Sequence, residues 1–249
     1  KIVDIGHDNF DSACEALELG SVDMAVVDMA QLIRMEKNDE NLPYGVVISG
    51  VLKRGDSRYV MIRKRHAKDI IENAVVATDS YSKTERIKHM YDGISCVVET
   101  DIRKCIEKLD ASECDAVFVL LEDIKAARLH NSFLYRYTIM DYGECVPVHG
   151  EGVYAMLTKG KKEAVRTARE LSHKSTAECF EIEDDIISRV MQNVYVKTCD
   201  VYARISSDRL EIYADVTGNR GRIRVNERGT FVNKNLIITK IVDRISKNM

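Results

Sequence analysis

A chain of 249 residues that is 45% hydrophobic and 31% charged has the composition of an ordinary globular protein, long enough for two or three domains with separate cores. The net charge of −3 at pH 7, with cations dispersed among acids, argues against a general affinity for nucleic acid. The sequence contains no apolar run of about 18 residues and no charged-then-apolar leader, so we expect a cytoplasmic protein with no membrane partner.

The first predicted elements are a helix and a strand. Apolar residues at 10, 13, 14, 17 and 19 predict a helix that ends at Gly20, and the apolar run 22–27 predicts a buried strand. The next residues, 28–33, are predicted to form a loop at the strand end where open α/β sheets bind ligands. Further strands are predicted at 45–52 and 58–62, and the basic segment 63–68 predicts a crossing into a second domain.

From residue 73 strands and helices alternate, which predicts a mostly parallel sheet. The predicted strands are 73–77, 94–98, 115–121 and 134–140, separated by helices near 80–91, 101–110 and 122–129. Oxygens of 78–80 and Asp101 are expected to cap the first two of these helices. The connector 143–152 contains glycines and a proline and predicts a hinge, after which strand 153–157 and helix 160–171 return the chain to the first sheet.

Beyond residue 172 the pattern changes to a long helix at 176–192, strands at 195–206, 209–216 and 222–232, and a terminal helix from 235. The whole order predicts an α/β fold of two lobes resembling periplasmic binding proteins, joined by a hinge and followed by a smaller C-terminal α+β domain. The predicted domains are 1–62 with 146–171, then 63–145, then 172–249.

The cysteines are scattered, odd in number and without a C-x-x-C pair, so the sequence predicts free thiols and neither disulfides nor a metal site. They are Cys14, Cys96, Cys105, Cys114, Cys145, Cys179 and Cys199.

Four local strings carry a family resemblance. They are Gly20-Ser-Val-Asp-Met-Ala-Val26, Leu42-Pro43-Tyr-Gly45 followed by VVISGVLKRGDSR, Lys108-Leu109-Asp110 followed by Asp115-Ala116, and Pro147-Val-His-Gly150-Glu-Gly152. In this order and at these intervals they resemble strings of hydroxymethylbilane synthase, also called porphobilinogen deaminase. The resemblance covers nearly the whole chain, but the strand–helix–strand that opens the family has no counterpart, so we expect part of the first lobe to be missing.

The resemblance implies tetrapyrrole biosynthesis: a transferase that joins four porphobilinogens, with loss of ammonia, on a dipyrromethane linked to a cysteine. That chemistry needs a carboxylate that moves protons and stabilises a cationic intermediate. It also needs arginines that hold acetate and propionate groups, and a thiol that anchors the primer.

At the positions that the resemblance implies, these groups are mostly replaced. Gln31 stands at the catalytic aspartate and Ala30 at a loop lysine. Tyr195 stands at the cofactor cysteine, and Cys199, four residues later, is a weak substitute. The positions implied for substrate and cofactor binding are occupied by Thr78, Ser80, Ser82, Lys83, Glu99 and Cys105, in which arginines have become Ser82, Lys83, Glu99 and Cys105.

The leading hypothesis is therefore a degenerate family member that is inactive in porphobilinogen polymerisation, with no cofactor unless Cys199 anchors dipyrromethane. One alternative is an active tetrapyrrole-forming enzyme that uses Asp28 as its acid and Cys199 as its anchor, although a cap is the commoner role for an acid after a buried strand. A second alternative is a monomeric binding protein that holds a small anionic or pyrrole ligand in the cleft between the lobes.

Overall fold

The computed structural model describes residues 10–67 and 73–249. The helices are α1 (Phe10–Glu18), α2 (Met29–Lys37), α3 (Tyr81–Lys88), α4 (Ile102–Asp110), α5 (Leu121–Ala126), α6 (Lys162–Leu171), α7 (Lys174–Val190) and α8 (Lys234–Asn248). The strands are β1 (Met24–Asp28), β2 (Val46–Val51), β3 (Tyr59–Lys64), β4 (Val75–Thr78), β5 (Ser95–Val98), β6 (Ala116–Leu120), β7 (Tyr135–Ile139), β8 (Tyr154–Lys159), β9 (Val196–Ser206), β10 (Arg209–Gly218) and β11 (Gly221–Thr230).

The first lobe is built on a three-stranded sheet of order β1-β8-β2, in which both pairings are antiparallel. Helix α1 buries its apolar face on this sheet, where Phe10 and Leu17 share a core with Ala25, Val27 and Leu157. The return of the chain to this sheet after the hinge, predicted from the sequence, is confirmed by the pairing of β8 with both β1 and β2.

The second lobe is built on a five-stranded sheet of order β5-β4-β6-β3-β7. Strand β4 is parallel to β5 and β6, whereas β3 is antiparallel to β6 and β7, so four of the five strands run in one direction. The predicted mostly parallel sheet is therefore confirmed, and the two-lobed α/β class with it.

Strand β3 corrects the predicted boundary at residue 62 and the predicted crossing at 63–68. It lies inside the second-lobe sheet, with Val60 and Ile62 completely buried, so the chain crosses between the lobes before it. The crossing is at 52–58, because β2 ends at Val51 and β3 begins at Tyr59. The apolar pattern marks β3 as a buried strand but carries no information about which sheet it joins. Lys68, the last residue of the predicted crossing, lies outside the described residues.

The chain crosses back to the first lobe between Ile139, where β7 ends, and Tyr154, where β8 begins, and this second crossing runs beside the first. The amide of Gly55 donates to the carbonyl of Gly152 at 3.0 Å, and the amide of Leu52 donates to the carbonyl of Tyr154 at 2.9 Å. Gly150 and Gly152 both have positive φ, and a Cβ on Gly150 would lie 2.6 Å from Ile33 Cδ1, so the second crossing packs closely on α2.

The third domain is an antiparallel sheet of order β11-β10-β9 with α7 and α8 packed on one face. Because side chains alternate along a strand, β9 places Cys199, Val201 and Ala203 in the core beneath these helices. The intervening Asp200 and Tyr202 lie on the opposite face, towards the lobes.

The predicted loop at 28–33 is wrong, because α2 begins directly after β1 at Met29. Of the two predicted caps, Asp101 accepts a hydrogen bond from the Arg103 amide at 2.8 Å, but Ser80 makes no side-chain cap of α3. Across residues 10–67 and 73–249, none of the helices combines the length and apolar character needed to span a membrane.

Candidate functional site

The candidate site is centred on Lys83 of α3, which contacts Asp79 and lies near Asp123 of α5, with Asp28 of the first lobe in the vicinity. We call the region that contains Asp28, Asp79, Lys83 and Asp123 the interlobe cleft. Asp28 forms its first-lobe wall and caps α2, because its Oδ1 accepts a hydrogen bond from the Gln31 amide at 3.0 Å. The cap interpretation of Asp28 therefore agrees with the structure. A cap of this kind stabilises a helix by satisfying an amide of its first turn.

Ala30 and Gln31 are in the first turn of α2. Ala30 is buried against the second crossing, where a Cβ on Gly150 would lie 3.0 Å from the Ala30 amide nitrogen. Gln31 is only partly buried. Neither side chain provides a group that exchanges protons near neutral pH.

The second-lobe wall holds one cation, Lys83, and its charge is already paired. Its Nζ lies 2.7 and 2.8 Å from the two carboxylate oxygens of Asp79 and 3.9 Å from Asp123 Oδ2. Burial alone would lower the pKa of Lys83, but Glu151, Asp79 and Asp123 raise it. Lys83 is thus a buried counter-ion for carboxylates of this chain.

The other predicted binding positions provide no second cation. Ser80 and Ser82 form a hydroxyl pair at 3.1 Å, and the buried hydroxyl of Thr78 has no hydrogen-bond partner among the described residues. The Glu99 amide donates to the Thr78 carbonyl at 2.8 Å. Cys105 points into the core with Ile106 and Leu109, and burial raises the pKa of its thiol to about 12, so it is an inert packed group.

Carboxylates surround Lys83 from both lobes. Burial raises the pKa of Asp123 to about 6; Lys83 opposes this shift, while Asp79, Asp28 and Glu122 add to it. Asp28 of the first lobe is thus near enough to contribute to the raised pKa of Asp123 in the second lobe. Within residues 10–67 and 73–249, no group of three or more His, Cys, Asp or Glu side chains is arranged to hold a metal ion.

Glu151 adds a carboxyl from the second crossing. It is buried, its Oε2 accepts a hydrogen bond from the Tyr59 hydroxyl, and the Val148 amide lies 3.3 Å from the same oxygen. Burial raises the pKa of Glu151 to about 7, against the opposing attraction of Lys83. Burial therefore favours the neutral form of this carboxyl.

The third domain places neither predicted anchor in the cleft. Tyr195 is 54% exposed and precedes β9, where its carbonyl accepts from the Asn219 amide at 2.9 Å. Cys199 lies in the domain core under α7 and α8, and burial raises the pKa of its thiol to about 12. Cys199 is thus turned away from the lobes and held as a thiol.

The third domain instead binds both crossings through α7. Arg54, in the first crossing, forms two hydrogen bonds to the Glu183 carboxylate at 2.5 and 2.8 Å. His149, in the second crossing, lies 2.9 Å from Asp184 Oδ1 through Nε2 and stacks on Phe180. Burial alone would lower the pKa of His149, but Asp184 and Glu183 raise it to about 9.

A second ionic contact joins the third domain to α3. Arg86 is buried and donates to Asp215 at 2.9 Å and to Asp200. Arg222 also pairs with Asp215, so the sheet face opposite the α7/α8 core holds acids and guanidinium groups in the same network.

Sequence reasoning assigned no site role to Tyr59, Asp123 or Glu151, and it considered Asp79 only as a helix cap. A signal existed for Asp123, which follows the apolar strand 116–120 at its carboxyl end, where α/β proteins place functional groups. Glu151 stands between two glycines in the predicted hinge. The partners of Tyr59 and Arg86 are far away in sequence, and no local pattern predicts them.

Comparison with known proteins matches residues 10–167 to the family described as porphobilinogen deaminase, dipyromethane cofactor binding domain. Similar proteins include the porphobilinogen deaminase of Clostridium acetobutylicum, 21% identical over 82% of this chain and 74% of the relative. The porphobilinogen deaminase of Chlorobium luteolum is 23% identical over 76% of this chain and 60% of the relative. The matched part of the chain thus spans 60% to 74% of the length of these relatives.

Among solved structures, the BvgS periplasmic VFT2 domain of Bordetella pertussis is 17% identical and covers 67% of this chain and 68% of its own. The TM-score of that match is 0.45, so it carries no inference about this chain.

Proposed function

Because the chain belongs to the porphobilinogen deaminase family, we propose that it is a member that does not polymerise porphobilinogen. The observation that carries the proposal is the charge of the interlobe cleft, where Lys83 is buried among Asp79, Asp123 and Glu151. A family member that polymerises would need cations there that are free to bind the substrate.

The charge balance opposes the binding of an anionic chain. Each pyrrole brings two carboxylates, and a like charge about 4 Å away costs about 4 kcal/mol at an effective dielectric constant of 20. Asp28, Asp79 and Asp123 would be such neighbours, and two of the three N–H donors of Lys83 are already directed at the Asp79 carboxylate.

The position that the resemblance assigns to the catalytic aspartate gives independent support. An amide stands there, Gln31, and its backbone is already held by Asp28. A relocated acid at Asp28 would have to act through a carboxylate whose Oδ1 is engaged in capping α2. General acid–base catalysis requires a group that both titrates and reaches the reacting atom.

The residues at the positions implied for dipyrromethane do not fit that group. The anchor position is a tyrosine, and Cys199 is a buried thiol that faces the third-domain core. Thioether formation needs an accessible thiolate, so an enzyme with rearranged groups is not favoured. The excess of carboxylates likewise disfavours the small-anion binding protein.

The test is incubation of the purified chain with porphobilinogen, followed by acid and oxidation, with the Clostridium acetobutylicum relative as the positive control. We expect no uroporphyrin above the amount formed without protein. A Gln31→Asp variant should also remain inactive, because it restores the acid but adds a further negative charge to a cleft that already has an excess of carboxylates. Uroporphyrin formed by the unaltered chain would refute the proposal.

A further inference from the structure

The sheet of the third domain carries a cluster of arginines on the face opposite its core. The strand register places Glu211 of β10 between Arg204 of β9 and Arg228 of β11. Two residues from Glu211 on the same strand, Arg209 lies opposite Ser206. Because side chains alternate along a strand, Arg209 and Glu211 are on the same face of the sheet. We call Arg204, Arg209, Arg228 and Glu211 the arginine cluster.

One carboxylate of the arginine cluster is shared between two arginines. Nε of Arg204 donates to Glu211 Oε2 at 2.6 Å, and Nε of Arg228 lies 3.5 Å from Glu211 Oε1. Arg209 forms no ion pair within residues 10–67 and 73–249. Even when Asp208 in the adjoining turn is counted, three cations accompany two acids in a chain whose net charge is −3. The cluster is therefore a local excess of positive charge.

The arginines of the cluster are accessible to a partner. The side chains of Arg204 and Arg228 are 47% and 65% exposed, and Arg209 is exposed as well. A guanidinium group has five N–H donors, so one carboxylate does not occupy the donors of two such groups. The arginine cluster can thus accept further carboxylates, in contrast to Lys83, which is buried and paired with Asp79.

The same sheet face already forms an interface within the chain. At its other end Asp200 pairs with Arg86 of α3, and in the middle Tyr202 stacks on Tyr142 with ring centroids 4.0 Å apart. Arg204 continues this interface, since its guanidinium carbon lies 5.6 Å from the centroid of the Tyr142 ring. The arginine cluster is thus the exposed end of a face that elsewhere binds by ionic and aromatic contacts.

We propose that the arginine cluster is a docking surface for an acidic segment of a partner protein, which lies extended along the sheet face. Carboxylate is the anion that Arg204 already holds in this chain. In an extended segment, side chains on one side recur every two residues, about 6.7 Å apart. The same two-residue step separates Glu211, which lies between Arg204 and Arg228, from Arg209, so alternate acidic residues reach both places. The inference is independent of the proposed loss of polymerisation, because no residue of the cluster belongs to the interlobe cleft.

The test is fluorescence anisotropy of a labelled peptide of alternating glutamate and serine, titrated with the full chain at low ionic strength. We expect saturable binding that disappears at about 1 M salt, where the Debye length is about 3 Å. The double variant Arg209→Gln with Arg228→Gln should bind about fourfold more weakly, because an exposed ion pair contributes about a factor of two. The absence of saturable binding by the unaltered chain, or unchanged binding by the double variant, would overturn the proposal.

Two further variants control for net charge and for loss of folding. Arg189→Gln with Arg220→Gln removes the same charge from exposed positions on α7 and on the turn between β10 and β11, and it should bind like the unaltered chain. Equal weakening would show that net charge, and not the cluster, binds the peptide. Glu211→Gln removes the carboxylate that competes for the arginines, so binding should become about twofold tighter; weaker binding would contradict the proposal. An RNA oligonucleotide that displaces the peptide and binds more tightly would also overturn it.

Discussion

A lysine at a position where the family places a ligand-binding cation has a different meaning when its neighbours are acids. Lys83 is charged, but its Nζ contacts Asp79 and lies 3.9 Å from Asp123. A buried ion pair of this kind neutralises the interior and leaves little charge for a ligand. The residue type alone predicted positive charge at this site, and the neighbouring carboxylates remove it.

His149 provides a prediction at the scale of one residue. Its pKa is raised from 6.5 to about 9, so the stabilising contribution of the protonated ring is complete below pH 6.5 and is lost as pH rises through 9. His149→Gln should lower the free energy of unfolding by about 1.5–3 kcal/mol at pH 6, the usual contribution of a hydrogen bond to a charged group. The difference should shrink above pH 9.

Urea unfolding at pH 6, 8 and 10 measures this effect. The exposed His66 gives the control, since His66→Gln should change stability little at any of these pH values. An equal loss for His149→Gln at pH 6 and pH 10 would show that packing on Phe180, and not the charge, is what His149 contributes.

At the scale of elements, most helices and strands were predicted from the periodicity of apolar residues, but α2 was not. Its signals were present: Asp28 is a favourable cap, and Met29, Leu32 and Ile33 recur at helical spacing. A loop was predicted there instead, because open α/β sheets often bind ligands in the loop that follows a strand. In this chain the helix begins at once, so the position that would carry a functional loop is used to start α2.

The sequence also does not predict which distant segments pair with each other. Strand β3 is readily identified, yet its place between β6 and β7 depends on contacts with residues more than 50 positions away. The same limit applies to Glu183 and Asp200, acids that pair with Arg54 and Arg86 from distant parts of the sequence. Local patterns do not specify such partners.

The cap on α2 can be tested separately from catalysis. Asp28→Ala should lower the free energy of unfolding by about 1 kcal/mol, because the Gln31 amide loses its acceptor. Asp28→Asn should cost much less, because asparagine caps equally well. Both can be measured by urea unfolding at pH 7. If the two variants were equally destabilised, the carboxylate charge, and not the cap, would be the stabilising feature.

At the scale of the whole molecule, the third domain contacts both crossings and the second lobe. Arg54 ties the first crossing to α7, His149 ties the second crossing to α7, and Arg86 ties α3 of the second lobe to β9 and β10. The lobes are therefore joined by a charged junction as well as by the hinge. These ionic groups are therefore paired within the chain itself.

The central claim is that the cleft and the third domain no longer hold a covalent pyrrole primer. Its most direct test is the intact mass of the chain purified from cells supplied with porphobilinogen, with the Chlorobium luteolum relative prepared in parallel. The account predicts the mass of the unmodified polypeptide, identical to that of a Cys199→Ala variant apart from the substitution. A mass increase equal to one dipyrromethane that disappears in Cys199→Ala would contradict it.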